Sequence, residues 1–171
     1  MRRPILWVAG VILAGTVGRA AIPLMMDGRD VGWMRALPPM AATRAAHTAT
    51  TLADGRVLVV GGFVDRGPTA GAEVFDPEAT SFADAPPMHD LRHSHTATRL
   101  ADGRVLITGG YGAGSRTLAS AELFDPRSRR FVRVGPLRQA RANHVAVLLG
   151  DGRVLLTGGL GPGWTYLSSA E

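Results

Sequence analysis

The sequence predicts an all-β chain assembled from repeated four-stranded antiparallel units, and three observations carry that prediction. First, a 19-residue stretch occurs three times, at 44–62, 92–110 and 141–159, with 11 columns identical in all copies. Second, the copies are offset by 48 and 49 residues, and a period of about 40–50 residues marks a repeat architecture. Third, apolar runs inside each copy are short and bounded by Asp-Gly, Gly-Gly and Asp-Pro pairs. No stretch sustains a helical 3.6-residue period.

Each unit resolves into four strands. The first runs from about His47 to Leu52, and Asp54-Gly55 is expected to fill both positive-φ positions of a two-residue hairpin turn. The second, "RVLVVGG", is apolar on both faces at Val57, Leu58, Val59 and Val60, so it should be buried between layers. The pairs Gly61-Gly62, Gly109-Gly110 and Gly158-Gly159 end it where backbones approach closely or φ is unusual. The third strand is "AEVF" or "AELF", stopped by Asp-Pro at a type I turn. A fourth, outer strand centres on Phe82 and Phe131. Four antiparallel strands per unit, stacked around an axis, make a β-propeller blade. The blades fall at about 41–88, 89–137 and 138–171, the last cut inside its third strand. Three blades are too few to close a ring, so the pattern reads as an incomplete arc of a larger propeller, with a partner chain supplying blades as the alternative.

Composition narrows the function. Cysteine is absent, which excludes disulfides, Cys-based metal sites and Cys nucleophiles. All 19 basic side chains are Arg, more simply a compositional bias than anion recognition. From Asp27 onward the net charge is only +2 with no basic stripe, which argues against nucleic acid as a partner. Residues 1–26 begin with Arg2 and Arg3, continue through an apolar run and reach small residues around Ala20. That layout is a secretory signal, so the chain is expected to be exported; the run is short against the ~20 residues of a bilayer span, which ranks an uncleaved membrane anchor second. Residues 27–171 form the propeller segment.

The pattern R-x-x-H…L-x-D-G-R-V-L-x-x-G-G…A-E-x-F-D-P…F…P-P-M resembles the kelch repeat, in the form seen in bacterial kelch proteins and galactose oxidase-like propellers. The resemblance covers about residues 30–171. Phe82 and Phe131 stand where that family usually has Trp, and Trp33 fits the place in a partial leading unit at 30–36. The resemblance implies a kelch-type β-propeller. Galactose oxidase builds its radical-copper cofactor on a Tyr cross-linked to Cys, so its activity does not carry over to a chain without Cys. Mutarotase-like kelch proteins, which act on sialic acid in the periplasm, supply the enzymatic alternative.

The in-frame residues read as architecture. Arg44, Arg92 and Arg141, with His47, His95 and His144, recur in every unit and are assigned packing and hydrogen bonding within each blade. Glu73, Glu122 and Glu171 recur with them, and a repeated arginine is their expected partner. "HDLRHSH" places His93 and His95 two apart, on one side of a strand, but nothing nearby completes a zinc set. No G-x-S-x-G, P-loop or H-E-x-x-H occurs. No cofactor, metal or catalytic residue is assigned.

Specific chemistry belongs where the repeat breaks. The loops after the Gly pairs share one face with the links between units, and they differ from blade to blade. They carry Arg66, Tyr111, Ser115, Arg116, Trp164 and Tyr166, and the Arg-to-His stretch adds His93, Ser94 and Asn143. Aromatic and Arg side chains on variable loops over a rigid scaffold suit a protein or glycan ligand. The expected function is an exported scaffold; part of a sugar-modifying enzyme, with its site in missing blades, is the alternative.

Overall fold

The computed structural model describes residues 36–171; the segment 1–26 and the leading strand with Trp33 lie outside them. Residues 38–171 form one compact unit. Its first blade contains β1 (Thr48–Thr51), β2 (Val57–Val60), β5 (Ala72–Asp76) and β6 (Ser81–Ala85), in the order β1-β2-β5-β6. The intervening β3 (Phe63–Val64) and β4 (Gly67–Pro68) form a separate two-stranded hairpin within the blade's second-to-third-strand connection. Blade 2 repeats the meander with β7 (Thr96–Arg99), β8 (Val105–Thr108), β9 (Ala121–Asp125) and β10 (Arg130–Val134). Blade 3 pairs β11 (Val145–Leu148) with β12 (Val154–Thr157), and Ala170 bridges Thr157. Among the described residues no helix is long and apolar enough to cross a membrane.

The Asp-Gly turns differ from the expected two-residue form. Only the glycine has positive φ (+85° at Gly55), while Leu52 N–H bonds Arg56 O and Gly55 N–H bonds Leu52 O. Three residues therefore make the turn, with glycine alone in the left-handed position. Asp54 needs no such strain because its carboxylate accepts from the Arg56 N–H and guanidinium at 3.1 and 2.9 Å. Units two and three repeat this with Asp102–Arg104 and Asp151–Arg153. At the other hairpin, Asp76 accepts from Glu78 and Ala79 N–H, so Asp-Pro stops β5 and turns the chain into β6.

The blades meet face to face. Leu58, Val60 and Val74 of blade 1 pack against Val105, Ile107, Phe124 and Phe131 of blade 2, all buried. Period-two alternation permits this, because residues 58 and 60 share one face of β2 while 105 and 107 share the opposite-pointing face of β8. Fully burying side chains of this size contributes roughly 1.5–3 kcal/mol each. Phe124 and Phe131 pair across β9 and β10 with centroids 4.8 Å apart, filling the outer end of the junction.

The glycine pairs divide the close approaches between them. A Cβ on Gly61 would stand 2.6 Å from both Arg92 O and His95 Cε1, atoms of the next blade. On Gly62 it would meet Ala45 O and His47 Cβ of its own blade, at 2.9 and 3.0 Å. Gly109 and Gly158 test this division, because their φ values are +61° and +62° but, among the described residues, a following blade faces Gly109 and not Gly158. A Cβ at Gly109 overlaps Arg141 O, whereas at Gly158 its nearest contact is Leu167 O at 3.6 Å. Ala at either position carries the left-handed strain of about 1–2 kcal/mol. Gly109→Ala should then destabilise by about 1–3 kcal/mol more than Gly158→Ala in urea unfolding of dilute protein; equal losses would contradict the division.

Candidate functional site

Every blade is built round a buried guanidinium. Arg92, fully buried, donates from one terminal nitrogen to Gly109 O (2.7 Å) and Ser120 O (3.1 Å). The other donates to Ser120 Oγ (3.1 Å) and Glu122 Oε1 (3.0 Å). Glu122, also fully buried, accepts from the His89 and Asp90 N–H groups and from the His89 ring. Burial pulls the Arg92 pKa down, opposed by the Glu122 charge beside it. Burial also works to raise that of Glu122, but the hydrogen bonds from His89 and Asp90 and the Arg92 charge hold it below the ordinary carboxylate value. Arg44 binds Gly61 O, Gly71 O and Glu73 in the same way, and Arg141 binds Gly158 O, Ser169 O and Glu171.

His95 and His144 act between blades, which corrects their placement inside single blades. His95 Nε2 lies 2.9 Å from Thr48 Oγ1 of blade 1, and His144 Nε2 lies 3.0 and 3.1 Å from Thr96 and Thr108 Oγ1 of blade 2. Burial, then the neighbouring Arg92 charge, lowers the His95 pKa to about 3; burial and Arg141 lower that of His144 to about 4. Both rings stay neutral down to acid pH. Among the described residues no group of three His, Cys, Asp or Glu could hold a metal ion.

His93 and His95 do not share a strand face either. Ser94 between them has φ +53°, so the chain kinks before β7 begins. His93 instead pairs with Tyr111 at an isolated bridge, and their rings lie 5.3 Å apart. On one side His93 meets Phe63 edge-on at 5.1 Å; on the other, Tyr111 meets Trp164 at 5.2 Å. Four rings thus cross three blades over the loop face.

The row ends in a cleft of about 440 Å³ between two single-turn 3-10 helices, Ala113–Ser115 and Pro162–Trp164. Tyr111, Ser115, Arg116, Thr117 and Trp164 line it. Tyr111 is nearly buried, its hydroxyl has no hydrogen-bond partner, and burial raises its pKa. Ser115 and Trp164 both adopt positive φ, +59° and +62°, which for a bulky Trp is an outlier of the kind found at functional sites. Trp164 is 64% exposed at the cleft mouth.

The cleft therefore gathers four of the loop-face residues, and His93 joins through its ring. Ser94 and Asn143 lie elsewhere in the scheme: Ser94 N–H bonds Ala46 O and Asn143 N–H bonds Ser94 O, a ladder that joins blades. Arg66 sits at the tip of the β3–β4 hairpin, and Tyr166, 92% exposed, does not line the cleft. Phe63 is a further member that the loop-face reading of the sequence does not include. Its signal is the column after each Gly pair, which reads Phe63, Tyr111, Leu160.

A larger cleft of about 510 Å³ opens between the Asp-Gly turns of blades 1 and 2 and the Asp-Pro turn of blade 2. Four of its charged side chains pair locally, Arg56 with Asp54 and Arg104 with Asp102, and the same pair recurs as Arg153 with Asp151 on blade 3. It is a product of the repeat.

Four-stranded meanders packed face to face around a shared inner edge, each clipped by one buried Arg-Glu pair, define a β-propeller segment. The family model described as the Kelch motif matches residues 44–89, the first of the three in-frame units. Residues 44–89 therefore carry a kelch motif, and kelch repeats commonly mediate protein interactions. No curated protein matches it.

The neutral histidines set a pH dependence. In the unfolded chain they take up protons near pH 6.5, whereas folded His95 and His144 refuse them until about pH 3 and 4. Their contribution is complete above pH 6.5 and is lost as pH falls, by up to about 1.4 kcal/mol per pH unit for each. The urea midpoint should fall between pH 7.5 and 5, and a His95→Gln/His144→Gln double variant should show a flatter profile. Equal slopes would contradict this assignment.

Proposed function

We propose that the chain is an exported kelch scaffold that binds a glycan or a protein segment in the loop-face cleft between blades 2 and 3. One observation carries the reading: the cleft joins an exposed aromatic ring, Trp164, to the buried and unpartnered hydroxyl of Tyr111, with Arg116 beside them. An apolar wall with a few convergent polar groups is the common composition of a ligand pocket, and the volume is of the size that takes a sugar residue or one side chain. Tyr111 offers both donor and acceptor to such a ligand, and Arg116 offers a planar cation. The strained backbone at Trp164 holds the ring in place before any ligand arrives.

The ionisable side chains lining this cleft are Arg116 and Tyr111, without a carboxylate pair of the kind glycosidic chemistry uses. That favours binding over turnover. Export rests on the layout of residues 1–26. Glycan-array binding by the purified chain should be lost in Trp164→Ala and weakened in Arg116→Ala, with no product formed from any bound glycan. A protein ligand would show the same two losses in a pull-down, with the array silent. Binding unchanged in both variants, or turnover, would overturn the proposal.

A further inference from the structure

The hairpin turns at Asp54-Gly55, Asp102-Gly103 and Asp151-Gly152 carry a chemical hazard that their backbone forces on the sequence. The three glycines sit at φ +85°, +89° and +87°, a region that side chains resist, so no bulkier residue can follow the aspartate. Asp-Gly is the pair in which the next backbone nitrogen reaches the side-chain carboxyl carbon with least hindrance. In the first turn, the Gly55 nitrogen would attack Cγ of Asp54. The Cγ–N bond forms, a Cγ–O bond breaks, and the amide proton leaves with that oxygen as water. The cyclic imide then takes water back at either carbonyl. One opening restores aspartate; the other leaves isoaspartate, with the main chain routed through Cβ and Cγ. No oxidant or cofactor takes part.

In each turn the reacting groups are already held. Asp54 Oδ1 accepts from the Arg56 N–H at 3.1 Å, and Oδ2 accepts from Nε and Nη2 at 2.9 and 2.7 Å. Asp102 accepts from the Arg104 N–H and Nε at 3.0 and 2.7 Å, with Nη2 at 2.6 Å. Asp151 accepts from the Arg153 N–H and Nε at 3.0 and 2.8 Å, with Nη2 at 2.7 Å. Both carboxylate oxygens are thereby committed to the residue two places on, by a forked cation that lysine could not imitate. The nitrogen is engaged too: Gly55 N–H donates to Leu52 O, Gly103 N–H to Leu100 O and Gly152 N–H to Leu149 O, at 3.2, 3.0 and 3.0 Å. The protonated carboxyl is the better electrophile, and the arginine hydrogen bond is the first cause holding all three aspartates below the ordinary carboxylate value. Burial gives no shelter here, since the three aspartate side chains are 47%, 49% and 50% exposed.

We propose that the three Asp-Gly turns are latent isoaspartate sites, and that the arginine two residues on is the lock that keeps each aspartate from cyclising. The in-frame Asp-Gly-Arg then has a chemical role beside its part in shaping the turn. An arginine that only shaped the turn would cost stability when lost. A lock, when lost, lets covalent change begin at its own turn and at no other.

Incubation of the 171-residue chain in heavy-oxygen water tests this, because each passage through the imide leaves a heavy oxygen in that turn. The chain is held in mildly acidic buffer, folded or unfolded in urea, then digested, and mass spectrometry reads the label and the isoaspartate form of each turn peptide. The folded unaltered chain should label more slowly than the unfolded chain at all three turns. Arg104→Gln should raise labelling at Asp102 by about tenfold, the worth of a lost charge-assisted hydrogen bond. Asp54 and Asp151 in the same molecules should stay slow, which also reports that the variant is folded. Equal rates in the folded and unfolded unaltered chain, or an unchanged rate at Asp102 in Arg104→Gln, would overturn the proposal. So would a rise shared by all three turns, since global folding rather than the local guanidinium would then be the guard.

Discussion

A single buried guanidinium holds each blade together. Arg92 extends from the link before the first strand, is fully buried, and ties the carbonyl ending the second strand to the loop and carboxylate of the third. A lysine has one nitrogen and no fork, so it lacks the geometry to serve these divergent acceptors at once. The cost of hiding the charge is met by Glu122, which is itself satisfied by two backbone N–H groups. A buried ion pair is not in general more stable than a well-packed apolar substitute, but breaking one leaves an orphaned charge. The clip thus specifies which strands and loops come together, while the apolar junction supplies most of the burial.

From the clip the rest of the repeat follows. Once Arg92 fixes its own segment, its carbonyl is placed to accept from Gly62 of the preceding blade, and His95 is placed against Thr48. Glycine is required at 61 and 62 because both blades arrive there at van der Waals distance. The same atoms therefore close a blade and join it to its neighbour. The cleft lies outside this kernel: its ring row crosses the loop face, on loops that differ between units.

The blade, its four strands and the packing role of the in-frame residues were legible because a repeat exposes architecture as recurrence. Val57–Val60 is assigned to a buried strand from its two-sided apolarity alone. The turn at Asp54-Gly55 was located but given the wrong form, since the Asp54–Arg56 contacts that let Asp54 keep negative φ are side-chain geometry. His95 was assigned to its own blade because in-frame recurrence does not distinguish a contact within a unit from one with the next. The β3–β4 hairpin and the Phe63–His93–Tyr111–Trp164 row were not legible as structures. They arise from kinks at residues such as Ser94 and from ring contacts between different blades.

The central claim, that the buried Arg holds the blade, is tested most directly by a double-mutant cycle on Arg92 and Glu122 followed by urea unfolding. Arg92→Met alone strands the Glu122 carboxylate and should cost about 3–5 kcal/mol. Arg92→Met/Glu122→Leu removes the stranded charge and should cost less than the single substitution. A loss at Arg92 no larger than the roughly 0.5 kcal/mol expected of a surface substitution such as Arg153→Met would contradict the account.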